Sequence, residues 1–204
     1  MKKFIYASLL GIFVMSAQVS TAQRVEVKSG DVAVLSGQKN INIEYDYSQF
    51  GVGKFATEQE YLDKKSAEYN AKEAGRGDNW KKAWVADRKA RFEPKFEELF
   101  NKGMEDKGIQ VVQARPDAQY TMIVRTTFVE PGFNVGVMRK NAYIDYTIDV
   151  VESANKSNKV AEIGMRNIPG SMAMGMDFDT GARLAESYAK AGKTLANFLD
   201  KKLK

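Results

Sequence analysis

The 204-residue chain contains no histidine and no cysteine. The first absence excludes Ser-His-Asp and Cys-His catalytic machinery and any imidazole-ligated zinc or haem. The second excludes disulfides, thiolate metal sites, thiol nucleophiles and lipid attachment at a bacterial lipobox. An excess of one charge is also small: 31 Lys and Arg face 26 Asp and Glu, for a net charge of +5. Residues 57–107 carry twelve basic and twelve acidic side chains, interspersed. That mixture marks a solvated helix surface, not a phosphate track, and no nucleic-acid partner is expected.

Long apolar runs are scarce too. The uncharged stretch Phe4 to Val14 is shorter than the roughly 20 residues a spanning helix needs. It follows Lys2 and Lys3 and precedes Ser20-Thr21-Ala22, the small residues a signal peptidase reads. These features define a signal peptide over residues 1–22, with the mature chain starting near Gln23. The expectation is a single α+β domain over 23–204, periplasmic or secreted, not a lipoprotein and not stably inserted in a membrane. Its length suffices for a core without disulfides, and export without cysteine fits a bacterial periplasm.

Periodicity then supplies the elements. Val25 and Val27, followed by Val32 and Val34, read as two short strands around Ser29-Gly30. Ile41, Ile43, Tyr45 and Tyr47 alternate with Asn42, Glu44 and Asp46 as a half-buried strand. Thr57 with Glu60 forms a capping box for a helix reaching about Ala74. Asp78 is expected to cap a second helix carrying Trp80, Trp84 and Arg88 on one side, which Pro94 kinks or restarts. Phe96, Leu99, Phe100 and Met104 make a buried stripe that ends at Gly108. Strands follow at 109–112, 120–129 (Tyr120, Met122, Val124, Thr126 and Phe128 inward), 142–152 and 160–165, with a polar turn at 155–158. Leu184, Tyr188, Ala191, Leu195, Phe198 and Leu199 line one face of a final helix from near Thr180. Consecutive strands with one polar face each predict a two-layer α+β sandwich, its sheet mostly antiparallel and its helices on one face.

The segment Ile41 to Ser48, the Trp80/Trp84 helix, the Lys107-Gly108 exit, the Asp117-Ala118-Gln119-Tyr120 strand entry and the long last helix resemble exported Bacteroidetes-type domains of unassigned activity. From Phe96 onward the chain also looks like the small α/β domain of TolB N-terminal and CsgG-like proteins. That resemblance covers about the last half of the chain and has no catalytic signature. It implies envelope-associated assembly or binding.

Candidate chemistry is sparse. Met172, Met174 and Met176 alternate, and thioethers are soft ligands for Cu(I), although Met more often packs or contacts partners. Asp177-Phe178-Asp179-Thr180-Gly181 begins like a calcium loop but lacks the glycine and glutamate of an EF-hand, and a helix cap is the better account. Asp145 and Asp149 share a strand face roughly 13 Å apart, beyond the separation of about 5–9.5 Å that paired glycosidase carboxylates use. Arg125 is expected beside Asp145 on the polar face. Trp80 and Trp84 read as core anchors, and Lys201, Lys202 and Lys204 complement a helix C-terminus.

The preferred function is a non-enzymatic envelope module that binds a protein or small apolar ligand, with no cofactor. Its candidate surface joins two apolar loops: Phe133, Val135, Val137, Met138 and Arg139 in one, and Met172, Met174, Met176 and Phe178 in the other. The alternatives are a hydrolase or lyase using carboxylates or Lys, and a Met-based metal carrier. A plugged core end would be the structural account of the same loops.

Overall fold

The computed structural model describes residues 23–170 and 179–203. In chain order the elements are β1 (Arg24–Gly30), β2 (Asn40–Asp46), β3 (Gly51–Val52), α1 (Glu58–Asn70), α2 (Arg76–Asp87), α3 (Glu93–Gly103), β4 (Gln110–Val112), β5 (Tyr120–Glu130), β6 (Phe133–Asn134), β7 (Arg139–Lys140), β8 (Tyr143–Glu152), β9 (Asn155–Pro169) and α4 (Thr180–Lys202). The main sheet runs β1-β9-β8-β5-β2-β4, with β3 also paired to β5, while β6 and β7 form a separate ribbon. The fold is the expected α+β sandwich. Helices α3 and α4 cover one face, and the sheet is antiparallel from β1 to β5.

Alternation explains the buried face. Ile41 and Ile43 of β2, Met122 and Val124 of β5, Ile144, Tyr146, Ile148 and Val150 of β8, and Ala161, Ile163 and Met165 of β9 are all buried. Phe96, Phe100 and Met104 meet them from α3, and Leu184, Tyr188, Ala191, Leu195 and Leu199 from α4. Phe92 stacks on Tyr188 with centroids 5.0 Å apart, and Tyr146 meets the same ring edge-on at 5.3 Å. Burial pushes the Tyr188 hydroxyl up to about 12, so it stays neutral, and it shares a 2.8 Å hydrogen bond with Thr126.

The opposite face carries ion pairs from strand to strand. Lys28 of β1 lies 3.6 Å from Glu162 of β9, and Lys159 bridges Glu162 (2.7 Å) to Asp149 of β8 (2.9 Å). Arg125 of β5 then joins Asp149 (2.9 Å) to Asp46 of β2 (2.8 Å). A face dressed this way stays solvated, although each partly exposed pair contributes only about 0–1 kcal/mol.

Several expectations need correction. Val32 and Val34 are not in a strand: Val32–Leu35 is a 3₁₀ turn whose start Asp31 caps, and it buries Val32 and Leu35. β2 is parallel to both β4 and β5, because three helices lie between β2 and β4 and return the chain to the same edge. Helix α1 stops at Asn70, short of Ala74, and the left-handed Gly75 starts α2. Asp78 is not a cap; it accepts bonds from Ser66 and Asn70 of α1 (3.5 and 3.2 Å). Residues 155–158 belong to β9, and the chain reverses at 153–154.

The register of β5 on β8 also departs from expectation. A bulge between Thr126 and Phe128 sends Phe128 to the solvated face, against Tyr143, and brings Val129 into the core. A single extra residue re-aims every side chain beyond it. Before the bulge, Arg125 lies opposite Thr147, not Asp145, and pairs with Asp149 and Asp46. Asp145 instead accepts the Asn167 backbone N–H at 2.7 Å.

Other features follow the sequence. Thr57 Oγ1 accepts the Glu60 N–H, and the Glu60 carboxylate reaches back to the Ala56 N–H. A π-helical turn over Arg88–Phe92 leads directly into Pro94 at the start of α3. Trp80 and Trp84 join Tyr61 and Tyr69 in an aromatic cluster that fastens α1 to α2. They are packing residues. Lys201 and Lys202 lie in the last turn of α4.

Candidate functional site

The connection between β5 and β8 folds into the β6–β7 hairpin. Phe133 pairs with Lys140 and Asn134 with Arg139. The tip closes through the Val135 N–H to Met138 carbonyl bond (3.0 Å), and Asn134 Oδ1 accepts the N–H of Gly136, whose φ of 82° needs glycine.

The base is tied down by charge. Glu130 is buried; its carboxylate takes Lys140 at 2.6 Å and the Gly132 N–H at 3.1 Å. Arg183, only 2% exposed, projects from the first turn of α4 and donates to the carbonyls of Pro131 (3.1 Å) and Gly132 (3.3 Å). These bonds meet backbone carbonyls at the hairpin's base, the Pro131 one in a buried position. Arg183 and Glu130 are the residues that sequence reading missed. The available signal was a lone Arg beside Leu184 on an otherwise apolar helix stripe.

The tip itself is open. Among the described residues, the large apolar side chains left exposed are Val85 and four on this hairpin: Phe133 (43%), Val135 (61%), Val137 (94%) and Met138 (61%). Arg139 is exposed beside them. These side chains do not plug the core. The other half of the candidate surface, Met172, Met174, Met176 and Phe178, lies outside the described residues, as does Asp177. The rest of the calcium-like run is described, and its Asp179 caps α4 by accepting the Gly181 N–H at 2.7 Å. The flanks of that segment are described. Gly170 donates to the Ala142 carbonyl at 3.0 Å, and Thr180 Oγ1 accepts from Arg183. Both flanks meet the base of the hairpin.

Groups relevant to the alternatives are held in packing. Glu93 and Glu97 share the Gln113 amide (3.0 and 2.7 Å), with Lys89 on Glu93 and the Tyr45 hydroxyl on Glu97. This carboxylate pair lies where α3 meets β2 and β4, with Glu93 buried. Burial pushes the hydroxyls of Tyr45, Tyr47 and Tyr146 up, so these phenols are neutral and serve poorly as bases. Among the described residues no three Asp or Glu converge on a point that would hold a metal ion. No described helix is long and apolar enough to cross a membrane.

No family model and no curated protein matches the chain. Among solved structures it is similar to PelC from Paraburkholderia phytofirmans, a dodecamer, at 12% identity and a TM-score of 0.39, covering 90% of this chain and 99% of that one. A second PelC dodecamer structure, of a point variant, gives 12% identity and a TM-score of 0.40, with 86% and 98% covered. Protein XCC0632 from Xanthomonas campestris gives 12% identity and 0.32, with 80% and 81% covered.

Proposed function

We propose that the protein is a non-enzymatic binding or assembly module of the bacterial envelope, presenting the β6–β7 hairpin to a partner protein. The observation that carries this reading is the concentration of exposed apolar side chains on that one hairpin. Phe133, Val135, Val137 and Met138 stand in water while the hairpin's base is fixed by Arg183 and Glu130. Apolar side chains held out on a rigid scaffold mark a recognition surface. Met138 supplies an adaptable contact, and Arg139 a charged rim. The sequence pattern of residues 1–22 supports export, and the resemblance to exported Bacteroidetes-type and TolB/CsgG-like domains supports an envelope role.

A photo-crosslinking amino acid placed at 137 in the full chain tests the reading in cells. The expected outcome is a discrete adduct that Phe133→Ser abolishes and that the same probe at 85 does not give. No adduct at 137, or equal adducts at both positions, would count against the hairpin.

A further inference from the structure

A second region of the molecule lies where the β2–β3 connection meets the start of α1. The β2–β3 connection (Tyr47 to Phe50) and the first turn of α1 (Ala56 to Gln59) enclose a cleft of about 720 Å³, which Thr127 of β5 also lines. That volume is in the range of about 300–1,000 Å³ typical of small-molecule sites. Its inner wall is held by hydrogen bonds. Glu58 accepts Trp84 Nε1 at 2.6 Å, and both its oxygens accept Arg88 Nη2 at 2.6 Å. The Arg88 guanidinium lies 4.4 Å from the centroid of the Tyr47 ring. Behind this wall is a void of about 10 Å³, bounded by Tyr47, Trp84, Arg88, Phe92 and Tyr188. The buried Tyr47 hydroxyl makes no hydrogen bond of good geometry. The π-turn Arg88–Phe92 forms the same wall, and such turns recur at functional sites.

The lining decides the ligand class. Glu58 and Arg88 neutralise each other, so the cleft offers no uncompensated charge to an anion or a cation. What remains is Ser48, Gln49 and Thr127, together with the Thr57 hydroxyl, which already accepts the Glu60 N–H, and the Gln59 amide, which already donates to Asp63. Hydroxyl and amide groups both donate and accept. Phe50 is buried and the Tyr47 ring is covered by Arg88, so the polar groups carry the recognition. Groups with both capacities match ligand hydroxyls. We infer that this cleft binds a neutral, hydroxyl-rich small molecule of the saccharide or polyol class. The binding does not depend on the hairpin.

The two tryptophans of the chain, Trp80 and Trp84, provide a direct probe, because Trp84 is bonded to Glu58 at the cleft wall. Titration of the intact mature protein with maltose, N-acetylglucosamine, glucosamine and galacturonate, followed by tryptophan emission and by calorimetry, tests the inference. Saturable binding of a neutral sugar is expected, weakened at least tenfold by Gln49→Ala or Thr127→Val. Both positions are exposed, so these variants should keep the wild-type circular dichroism and melting temperature. Val137→Ser should leave sugar binding unchanged. Preference for the charged sugars, no saturable heat with either neutral sugar, or neutral-sugar binding untouched by both cleft variants would overturn the inference.

Discussion

Arg183 is the residue on which the hairpin most depends. Its guanidinium is buried at the start of α4 and satisfies two backbone carbonyls of the β5–β6 connection. Replacing it with Met keeps much of the packing and removes the donors. Arg183→Met is expected to destabilise the protein by about 1–3 kcal/mol, the cost of leaving buried acceptors unmet. Urea melts measure the loss, and amide exchange in residues 132–141 should rise with it. At Asp46, burial raises the carboxyl, but bonds from Ser48 and Arg125 outweigh it and hold the group below its ordinary value. Its contribution to stability is therefore complete above 3.8 and is lost as the pH falls through the lowered value. Thermal melts between about pH 6 and pH 3 should show a shallower acid decline for Asp46→Asn than for the wild type. A steeper decline would mean that the Ser48 and Arg125 bonds do not favour the ionised form.

Between elements, the tightest constraint is the crossing of α3 and α4. A Cβ on Gly192 would stand 2.1 Å from the Phe96 carbonyl oxygen, and one on Gly103 would stand 2.6 Å from Ala196 Cβ. The two helices approach so closely because each offers the other a glycine. Gly192→Ala has no room without moving the helix backbones and is expected to cost about 1–3 kcal/mol, as overpacking does. The exposed Lys193→Ala should change stability little, and a melting-temperature comparison of the two separates packing from helix propensity. The bulge in β5 is the other decisive local feature. It sets which of Phe128 and Val129 enters the core.

For the whole molecule, the two-layer fold separates the buried core from the exposed apolar hairpin. The core lies between the sheet and α3–α4, the ion-paired face stays wet, and the exposed apolar hairpin stands at the end of the sheet. Replacing residues 135–138 by a two-residue Asn-Gly turn suits a hairpin of this kind. That variant should keep the wild-type melting temperature within about 2 °C, since the removed side chains are outside the core. It should also lose the crosslinked adduct. A large drop in melting temperature would show that the tip supports the fold and is not a free surface.

Alternation and helical spacing in the sequence determined the elements that hold the core: Ile41 and Ile43, Ile144 to Val150, the Phe96–Met104 stripe and the long final helix. These patterns are local, because burying one face of a strand or helix requires period 2 or about 3.6 wherever the chain goes. The apolar content of the 130–141 connection was legible for the same reason. Only the tertiary structure decided the parallel pairing of β2, the bulge that turned Phe128 outward, and the partners of Arg125. Strand order and register depend on groups distant in the chain, and one inserted residue exchanges the two faces. The structure alone also brought Glu58, Trp84, Arg88 and Tyr47 to one wall and set Arg183 beneath the hairpin. Those contacts join residues from separate elements, and no spacing along the chain encodes them.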